Sequence, residues 1–272
     1  MKRRSIITFL QRFDLYLWNK WPRNFRLRKI TVIVENIFEV VKMANKSEVI
    51  VEINEKKTVA TIFLNRPEKA NSLNGNCQTL LNCLYSLTLT VANMVTILRK
   101  SFQDLEANNE VRVIVLTGSG KYFCSGMDLS SQSHSVEDTT KGFIELMETI
   151  YKCKKPVICK INGPALGGGL GLVFVTDIRI MNKESYLVFP EVKRGIVPAM
   201  ISAYIVPQLG IYKSKQYMLS GEKISSSELL NDRVISLLAN DSSSLDKMTD
   251  SVVNQLISSA PNVVIIPVKY NL

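Results

Sequence analysis

The chain has 272 residues, of which 46% are hydrophobic and 21% charged, and its formal net charge is +10. This is the composition of an ordinary folded protein, and it excludes collagen-like, low-complexity and disordered chains. Five cysteines without a C-x-x-C pair give neither a disulfide framework nor a zinc site, which favours reduced thiols inside a cell. The single histidine, His134, excludes metal motifs that need two imidazoles, so we expect no metal.

Much of the positive charge lies in residues 1–42, which hold ten basic and three acidic residues. Basic patches attract polyphosphates, so a nucleic-acid-binding protein is one hypothesis. Because the rest of the chain is only mildly basic, we expect no nucleic acid partner. The mixture of arginines and bulky apolar side chains in this segment is partly typical of a mitochondrial transit peptide, although serine is scarce. A basic surface helix, or an extension upstream of a start at Met43, would explain the same residues.

Local patterns predict the first elements. Alternating β-branched residues at 48–54 and 58–64 predict a hairpin, and a polar turn around Pro67 follows it. Farther along, apolar runs at 112–117 and 156–161 predict buried strands. Because strand, glycine turn and apolar helix recur, the sequence predicts an α/β core.

Two helices are predicted in the second half of the chain. One is expected around residues 137–152, where apolar residues recur at helical spacing. Ser225 and Glu228 have the spacing of a capping box and predict the start of another. We expect one folded domain over 43–272, preceded by the basic extension.

The stretch from residue 71 to 98 contains no charged residue. A membrane span needs about 20 apolar residues, so a stretch of this length suggests a membrane span as one hypothesis. Asn82, Asn93 and several threonines would make a span costly, and we expect no stable span. A buried or disordered insertion at about 75–97 is the alternative we favour.

Four glycines occupy the five positions 167–171. Glycine removes side chains from a backbone that must turn sharply or approach a ligand closely. Bare amides at a helix start attract a negative oxygen, which predicts an oxyanion hole, with close helix–strand packing as an equal alternative. The spacing does not match a dinucleotide-binding G-x-G-x-x-G, and the loop at Gly120 does not match a P-loop.

Two other segments carry candidate chemistry. Small residues at 124–128 follow a predicted strand and can donate a second amide. Cys124 and Ser125 are weak nucleophile candidates, because neither lies in a G-x-S-x-G elbow. Glu191 lies between apolar residues and a proline, where burial would raise its pKa toward values useful for proton transfer. A surface glutamate is the alternative there.

Five motifs occur in order along the chain. They are NRPEKANSL at 65–73, VRVIVLTG at 111–118, FCSGMDL at 123–129, NGPALGGG at 162–169 and FPEVKRG at 189–195. Together they closely resemble the enoyl-CoA hydratase/isomerase (crotonase) family over about residues 46–265. The resemblance implies the ClpP/crotonase-like fold, a spiral of ββα units with a C-terminal helical region that is shortened here. It also implies a homotrimer or hexamer and a mitochondrial, peroxisomal or cytoplasmic location.

The resemblance implies roles for individual residues. The amides of Met127 and Gly168 would hold the thioester oxygen of an acyl-CoA substrate, and Glu191 would move a proton. The loop at Lys69 and Ala70 would contact the adenosine of coenzyme A. The other implied substrate-binding residues are Arg66 and Lys121 as phosphate partners, with Asp128 and Gly167. Coenzyme A would enter as part of the substrate, and no metal or redox cofactor is implied.

Gly171 is a departure from the family, because hydratases carry the first of two catalytic glutamates there. One carboxylate can shuttle a proton between carbons, as the isomerases do, whereas water addition without the second should be impaired by roughly 10²–10⁴. The same glycine pattern occurs among relatives assigned to hydration of branched enoyl-CoA esters, so isomerase and hydratase, in fatty-acid or branched-chain metabolism, both stay open. A non-catalytic protein of this fold that binds acyl-CoA or a partner chain is the alternative.

Overall fold

The structure is a computed structural model that describes residues 47–74, 78–81, 88–91, 93–128 and 136–259. Within these ranges the chain forms eleven strands and six α-helices. The strands are β1 Val49–Ile53, β2 Val59–Leu64, β3 Gln78–Leu81, β4 Thr88–Val91, β5 Val113–Gly118, β6 Val157–Ile161, β7 Ala165–Leu166, β8 Ile178–Asn182, β9 Tyr186–Val188, β10 Lys223–Ser225 and β11 Leu237–Ala239. The helices are α1 Met94–Ala107, α2 Val136–Tyr151, α3 Gly168–Phe174, α4 Ala199–Ser220, α5 Ser226–Asn231 and α6 Ser242–Ser258.

The main sheet has six strands in the order β1-β2-β5-β6-β8-β11. The predicted hairpin is confirmed, because β1 pairs antiparallel with β2 and places Val49 opposite Leu64. The other neighbours pair in parallel. All six residues of β5 are buried, as expected for a central strand that is covered on both faces. The two buried strands predicted at 112–117 and 156–161 are therefore confirmed.

Two apolar clusters cover the two faces of this sheet. The larger includes side chains of α1, α2 and α3, among them Phe102, Phe143 and Leu172. The smaller packs Leu245 and Val253 of α6 against β5, β6 and β8. Helices on both faces of a mainly parallel sheet define an α/β architecture, which confirms the predicted core.

A second sheet, in the order β10-β9-β7, positions the glycine run. Ala165 of β7 forms a parallel bridge with Cys124. The Leu166 N–H donates to the carbonyl of Cys124 at 2.9 Å, and the Gly167 N–H donates to the carbonyl of Val188 at 3.2 Å. The start of α3 therefore lies where the chain segments around Cys124 and Val188 meet.

Two helices begin at residues whose side chains cap the first turn, and the sequence predicted one of the two caps. The capping box is confirmed, because Ser225 Oγ accepts from the Glu228 N–H and the Glu228 carboxylate accepts from the Ser225 N–H. Helix α1 begins at Met94, where the Asn93 side chain accepts from the Thr96 N–H at 2.7 Å. Residues 94–98 of the charge-free stretch are therefore helical.

Of the rest of that stretch, the structure describes residues 71–74 and 93 and the strands β3 and β4, which pair as an antiparallel ribbon. The boundaries of the predicted insertion, and of the extension over 1–42, stay predictions, and both the extension and His134 lie outside the described residues. None of the helices in the described ranges combines the length and the apolar character that crossing a bilayer requires.

Candidate active site

A cavity of about 120 Å³ opens between the turn at Met127, the start of α3 and the 3-10 helix Pro190–Arg194. It brings together four of the predicted site residues, Met127, Gly167, Gly168 and Glu191. Apolar side chains contribute much of the remaining wall: Phe143, Ile196, Val197, Met200 and Ile201. A few polar groups in an apolar cavity are typical of a small-molecule site.

The direction of the Met127 amide is set by the chain segment beside it. Leu73 and Met127 form a parallel bridge. In that bridge the Leu73 N–H donates to the carbonyl of Gly126, and the Asp128 N–H donates to the carbonyl of Leu73, both at 2.8 Å. Alternate residues of an extended chain face opposite ways, so the Met127 N–H turns away from Leu73. Within the described ranges it has no acceptor.

The Gly168 amide lies beside it at the first turn of α3. The first amides of a helix have no intrahelical acceptor. A Cβ atom at Gly168 would lie 3.5 Å from the Met127 nitrogen, and one at Gly126 would lie 3.0 Å from the Gly168 nitrogen. No acceptor for the Gly168 N–H occurs in the described part of the chain. The two amides therefore line one wall side by side.

Glu191 lines the same cavity, from the first turn of its 3-10 helix. Its Oε1 lies 3.0 Å from the place that a Cβ atom of Gly167 would take. Its Oε2 is buried and has no hydrogen-bond partner among the described residues. Burial raises the pKa of Glu191, and its own backbone amide and the charge of Arg194 offset only part of that rise. The pKa direction predicted from its apolar neighbours is confirmed.

The four glycines serve different purposes. Gly167 has φ 51°, a left-handed conformation that favours glycine, and it places the carboxylate over the start of α3. A Cβ atom at Gly169 would lie 2.3 Å from the carbonyl oxygen of Cys124, so this glycine allows close packing. The sequence left two explanations for the glycines at 167–171, exposed amides and close helix packing, and each applies at a different position.

Gly171 lies one helical turn farther along α3. A Cβ atom there would lie 2.7 Å from Ile201 Cγ2 and 2.9 Å from Met147 Cε. Such distances are too short for real carbon contacts, so either neighbour would have to move. The two apolar side chains fill the space into which a glutamate at 171 would begin to extend.

Arg66 and Asp128, two of the predicted substrate-binding residues, contact each other. Its Nη2 donates to Asp128 Oδ2 at 3.1 Å, and its Nε lies 3.2 Å from Glu48 Oε1. Its Nη1 donates to the carbonyl of Ser72 at 2.6 Å. The side chains of Arg66 and Asp128 are each only 12% exposed. Both side chains therefore have partners within the protein, and the substrate contacts expected of them stay predictions.

The other predicted coenzyme A residues lie at the surface on two adjacent loops. Asn71 joins these loops, because its buried side-chain amide donates to the carbonyls of Ser119 and Tyr122 at 2.9 and 2.8 Å. Lys69 is exposed on one loop and Lys121 on the other. Ala70 lies between Lys69 and Asn71 with φ 50°. This arrangement keeps Lys69, Ala70 and Lys121 as candidates for one ligand.

Other chemistries find little support in the ranges that the structure describes. Burial raises the pKa of the Cys124 thiol to about 12, so Cys124 is not a thiolate nucleophile near neutral pH. Ser125 Oγ donates to the carbonyl of Lys69 at 3.4 Å. No group of three or more His, Cys, Asp or Glu side chains in those ranges could hold a metal ion.

The fold is shared with solved structures of crotonase-type enzymes. AtuE of Pseudomonas aeruginosa superposes with a TM-score of 0.69 and 25% identity, covering 79% of both chains. An enoyl-CoA hydratase of Mycobacterium smegmatis superposes with a TM-score of 0.68 and 21% identity, covering 78% of this chain and 77% of the other. These matches confirm the predicted crotonase-like fold.

The sequence family agrees with the fold. A profile of the enoyl-CoA hydratase/isomerase family matches residues 86–269, and the chain belongs to that family. It is 38% identical over 213 residues to the enoyl-CoA hydratase ACTT6 of Alternaria alternata, covering 77% of this chain but 65% of the relative. It is 28% identical over 239 residues to a peroxisomal Delta(3,5)-Delta(2,4)-dienoyl-CoA isomerase of Arabidopsis thaliana, covering 80% of each. The chain thus spans less than two thirds of its Alternaria relative.

Proposed function

We propose that this protein acts on an acyl-CoA thioester, whose carbonyl oxygen accepts from the amides of Met127 and Gly168 while Glu191 moves a proton at the adjacent carbon. The observation that carries the proposal is a pair of amides in one cavity that have no acceptor among the described residues, together with a partly buried carboxylate that lines the same cavity. Membership of the enoyl-CoA hydratase/isomerase family supports the same substrate class.

The proton and the charge balance within the site. The Glu191 carboxylate removes a proton from the carbon beside the thioester, and the electron pair moves onto the carbonyl oxygen to form an enolate. Each amide donor is worth about 2.7–4 kcal/mol to such an oxyanion. Glu191 then returns the proton to the same carbon, or to the carbon two bonds farther along when the substrate is a 3-enoyl thioester. The second course moves the double bond and consumes nothing else.

The packing at Gly171 favours this isomerase chemistry over hydration. Water addition needs a group to hold and activate the water as well as one to move the proton, and Met147 and Ile201 fill the place of the second carboxylate. Hydration is the second candidate, because three relatives from Alternaria alternata that are 35–38% identical to this chain are named enoyl-CoA hydratases.

The coenzyme A part of the substrate belongs to the two adjacent loops. The cationic side chains of Lys69 and Lys121 would approach its phosphates, and the backbone at Ala70 would face the adenosine. The homotrimer or hexamer, the fatty-acid or branched-chain substrate and the mitochondrial, peroxisomal or cytoplasmic location stay predictions from the family resemblance.

The test is conversion of a 3-enoyl-CoA to the conjugated 2-enoyl isomer, followed by the ultraviolet absorbance of the product. We expect the wild-type chain to convert the substrate. Two matched variants then distinguish the role of Glu191 from a general effect of removing a negative charge. Glu191→Gln should lose the conversion, whereas Glu184→Gln, at an exposed position, should keep it. Binding of the thioester without conversion by any of the three proteins would favour the non-catalytic alternative.

A further inference from the structure

A partly buried ion network lies next to Met127, formed by side chains that do not line the cavity. Arg66 is its centre, with the carboxylates of Glu48 and Asp128 at 3.2 and 3.1 Å. The exposed fractions of these three side chains are 12%, 27% and 12%. Ion pairs at a protein surface contribute little, but removing one member of a buried pair leaves an uncompensated charge. The network therefore holds together the chain segments that contain Glu48, Arg66 and Asp128.

Two of those segments fix the direction of the Met127 amide. The guanidinium holds the carbonyl of Ser72, next to Leu73, and the carboxylate of Asp128, next to Met127. Leu73 and Met127 are the two residues of the parallel bridge. One side chain thus clamps both sides of the bridge that turns the Met127 N–H toward the cavity.

The geometry of the clamp requires arginine. Its three nitrogens each meet a different acceptor, on Glu48, Asp128 and Ser72. A planar guanidinium offers five donors in a fixed fork, whereas the ammonium of lysine is a single point charge. A lysine at 66 would keep the positive charge but would lose the simultaneous grip on both segments.

From this arrangement we infer that Arg66 is a positioning residue that holds the Met127 amide in place for the thioester oxygen. The inference rests on the proposed function. Catalytic geometry is sensitive, since a misplacement of about 1 Å can cost about 10²-fold in rate. We therefore expect Arg66→Lys to lower kcat by about tenfold to a hundredfold, with the Kd for the thioester changing less.

The experiment compares Arg66→Lys with the matched control Arg112→Lys. Arg112 also donates to backbone carbonyls, at Ile257 and Ser259, but it holds the end of α6. Each protein is mixed with an aryl-conjugated enoyl-CoA, whose absorption moves to longer wavelength when its carbonyl accepts strong hydrogen bonds. Melting temperature, Kd and the absorption of the bound thioester are measured together.

Wild type and Arg112→Lys should show the full absorption shift, and Arg66→Lys should show a smaller shift at saturating thioester. Should Arg66→Lys fail to fold, Asp128→Asn replaces it, since that change removes the charge that attracts Arg66 and keeps the side-chain shape. An undiminished shift and an unchanged kcat in the folded variant would overturn the role of Arg66 while leaving the proposed function in place. A wild-type protein that binds the thioester without any shift would overturn the proposed oxyanion hole and, with it, this inference.

Discussion

Two regions of the glycine run differ in what takes the place of the missing side chain: a polar wall at Gly167 and an apolar wall at Gly171. At Gly167 the missing side chain makes room for the Glu191 carboxylate, whose Oε1 lies 3.0 Å from the vacant Cβ position. At Gly171 the vacant position is taken by Ile201 and Met147. One wall therefore holds an ionisable group and the other is closed by apolar contacts. The absence of a carboxylate at 171 therefore involves the neighbouring side chains Ile201 and Met147 as well as Gly171 itself.

The largest effect is expected when the Glu191 carboxylate of the polar wall is replaced. Glu191→Gln keeps the shape of the side chain but cannot accept a proton, so we expect kcat to fall by roughly 10²–10⁴ with little change in thioester binding. Steady-state kinetics and calorimetric binding measure the two effects. A Glu191→Gln protein with full activity would remove Glu191 from the mechanism.

Removing one amide donor comes next. Proline is tolerated at the first position of a helix and has no N–H, so Gly168→Pro should lower kcat by about 10²–10³. Gly168→Ala is the control, because it keeps the N–H while adding a Cβ atom 3.3 Å from Phe143 Cζ. If both variants lose the same activity, the loss comes from steric crowding and not from the missing hydrogen bond.

The apolar wall is tested through stability. Gly171→Ala places a methyl group against Ile201 and Met147 and should lower the free energy of unfolding by about 1–3 kcal/mol. The same substitution made in a Met147→Ala background should cost less, because residues in contact are coupled. Urea denaturation measures both changes. Full stability in Gly171→Ala would show that the wall is open enough for a side chain.

Titration of Glu191 makes the stability of the protein depend on pH. Burial raises the pKa of Glu191 in the folded protein above its ordinary value of 4.5, so over the interval above 4.5 the folded state holds more protons than the unfolded chain. Its contribution to stability is then complete below pH 4.5 and is lost as pH rises through the folded pKa. We expect the melting temperature of wild type, measured relative to Glu191→Gln, to fall as pH rises through this interval. A difference that grows with pH would contradict the burial-raised pKa.

The smallest effect is expected at the outer loops. Lys69→Ala and Lys121→Ala should each raise KM for an acyl-CoA by up to about fivefold, since an exposed ion pair is worth roughly 0.2–1 kcal/mol. Added salt should reduce the difference, because it screens exposed charges. Lys247→Ala, at an exposed position on α6, serves as the control. Equal KM values for all four proteins would place the phosphates elsewhere.

Local features of the fold and of the site were predictable from the sequence. The hairpin, the buried strands and the capping box each depend on neighbours within a few residues. The raised pKa of Glu191 followed from its apolar neighbours for the same reason. Left-handed φ angles at Ala70 and Asn71 were not predicted, because turn geometry held by distant hydrogen bonds leaves no glycine signal.

Long-range packing accounts for what the sequence did not reveal. Arg66 meets Asp128 from 62 residues away, and no local pattern distinguishes such a partner from a ligand phosphate. The filling of the space at Gly171 by Met147 and Ile201 likewise appears only when α2, α3 and α4 are packed together. The sequence showed that a carboxylate was absent, whereas the structure shows what occupies its place.

The central claim is that this one-carboxylate site moves protons without adding water. Mass spectrometry of a 2-enoyl-CoA and its 3-enoyl isomer, after incubation with the protein in heavy water, tests it most directly. We expect deuterium in the acyl chain and migration of the double bond, with no product that has gained the mass of water. A hydrated product formed as fast as deuterium enters would contradict it.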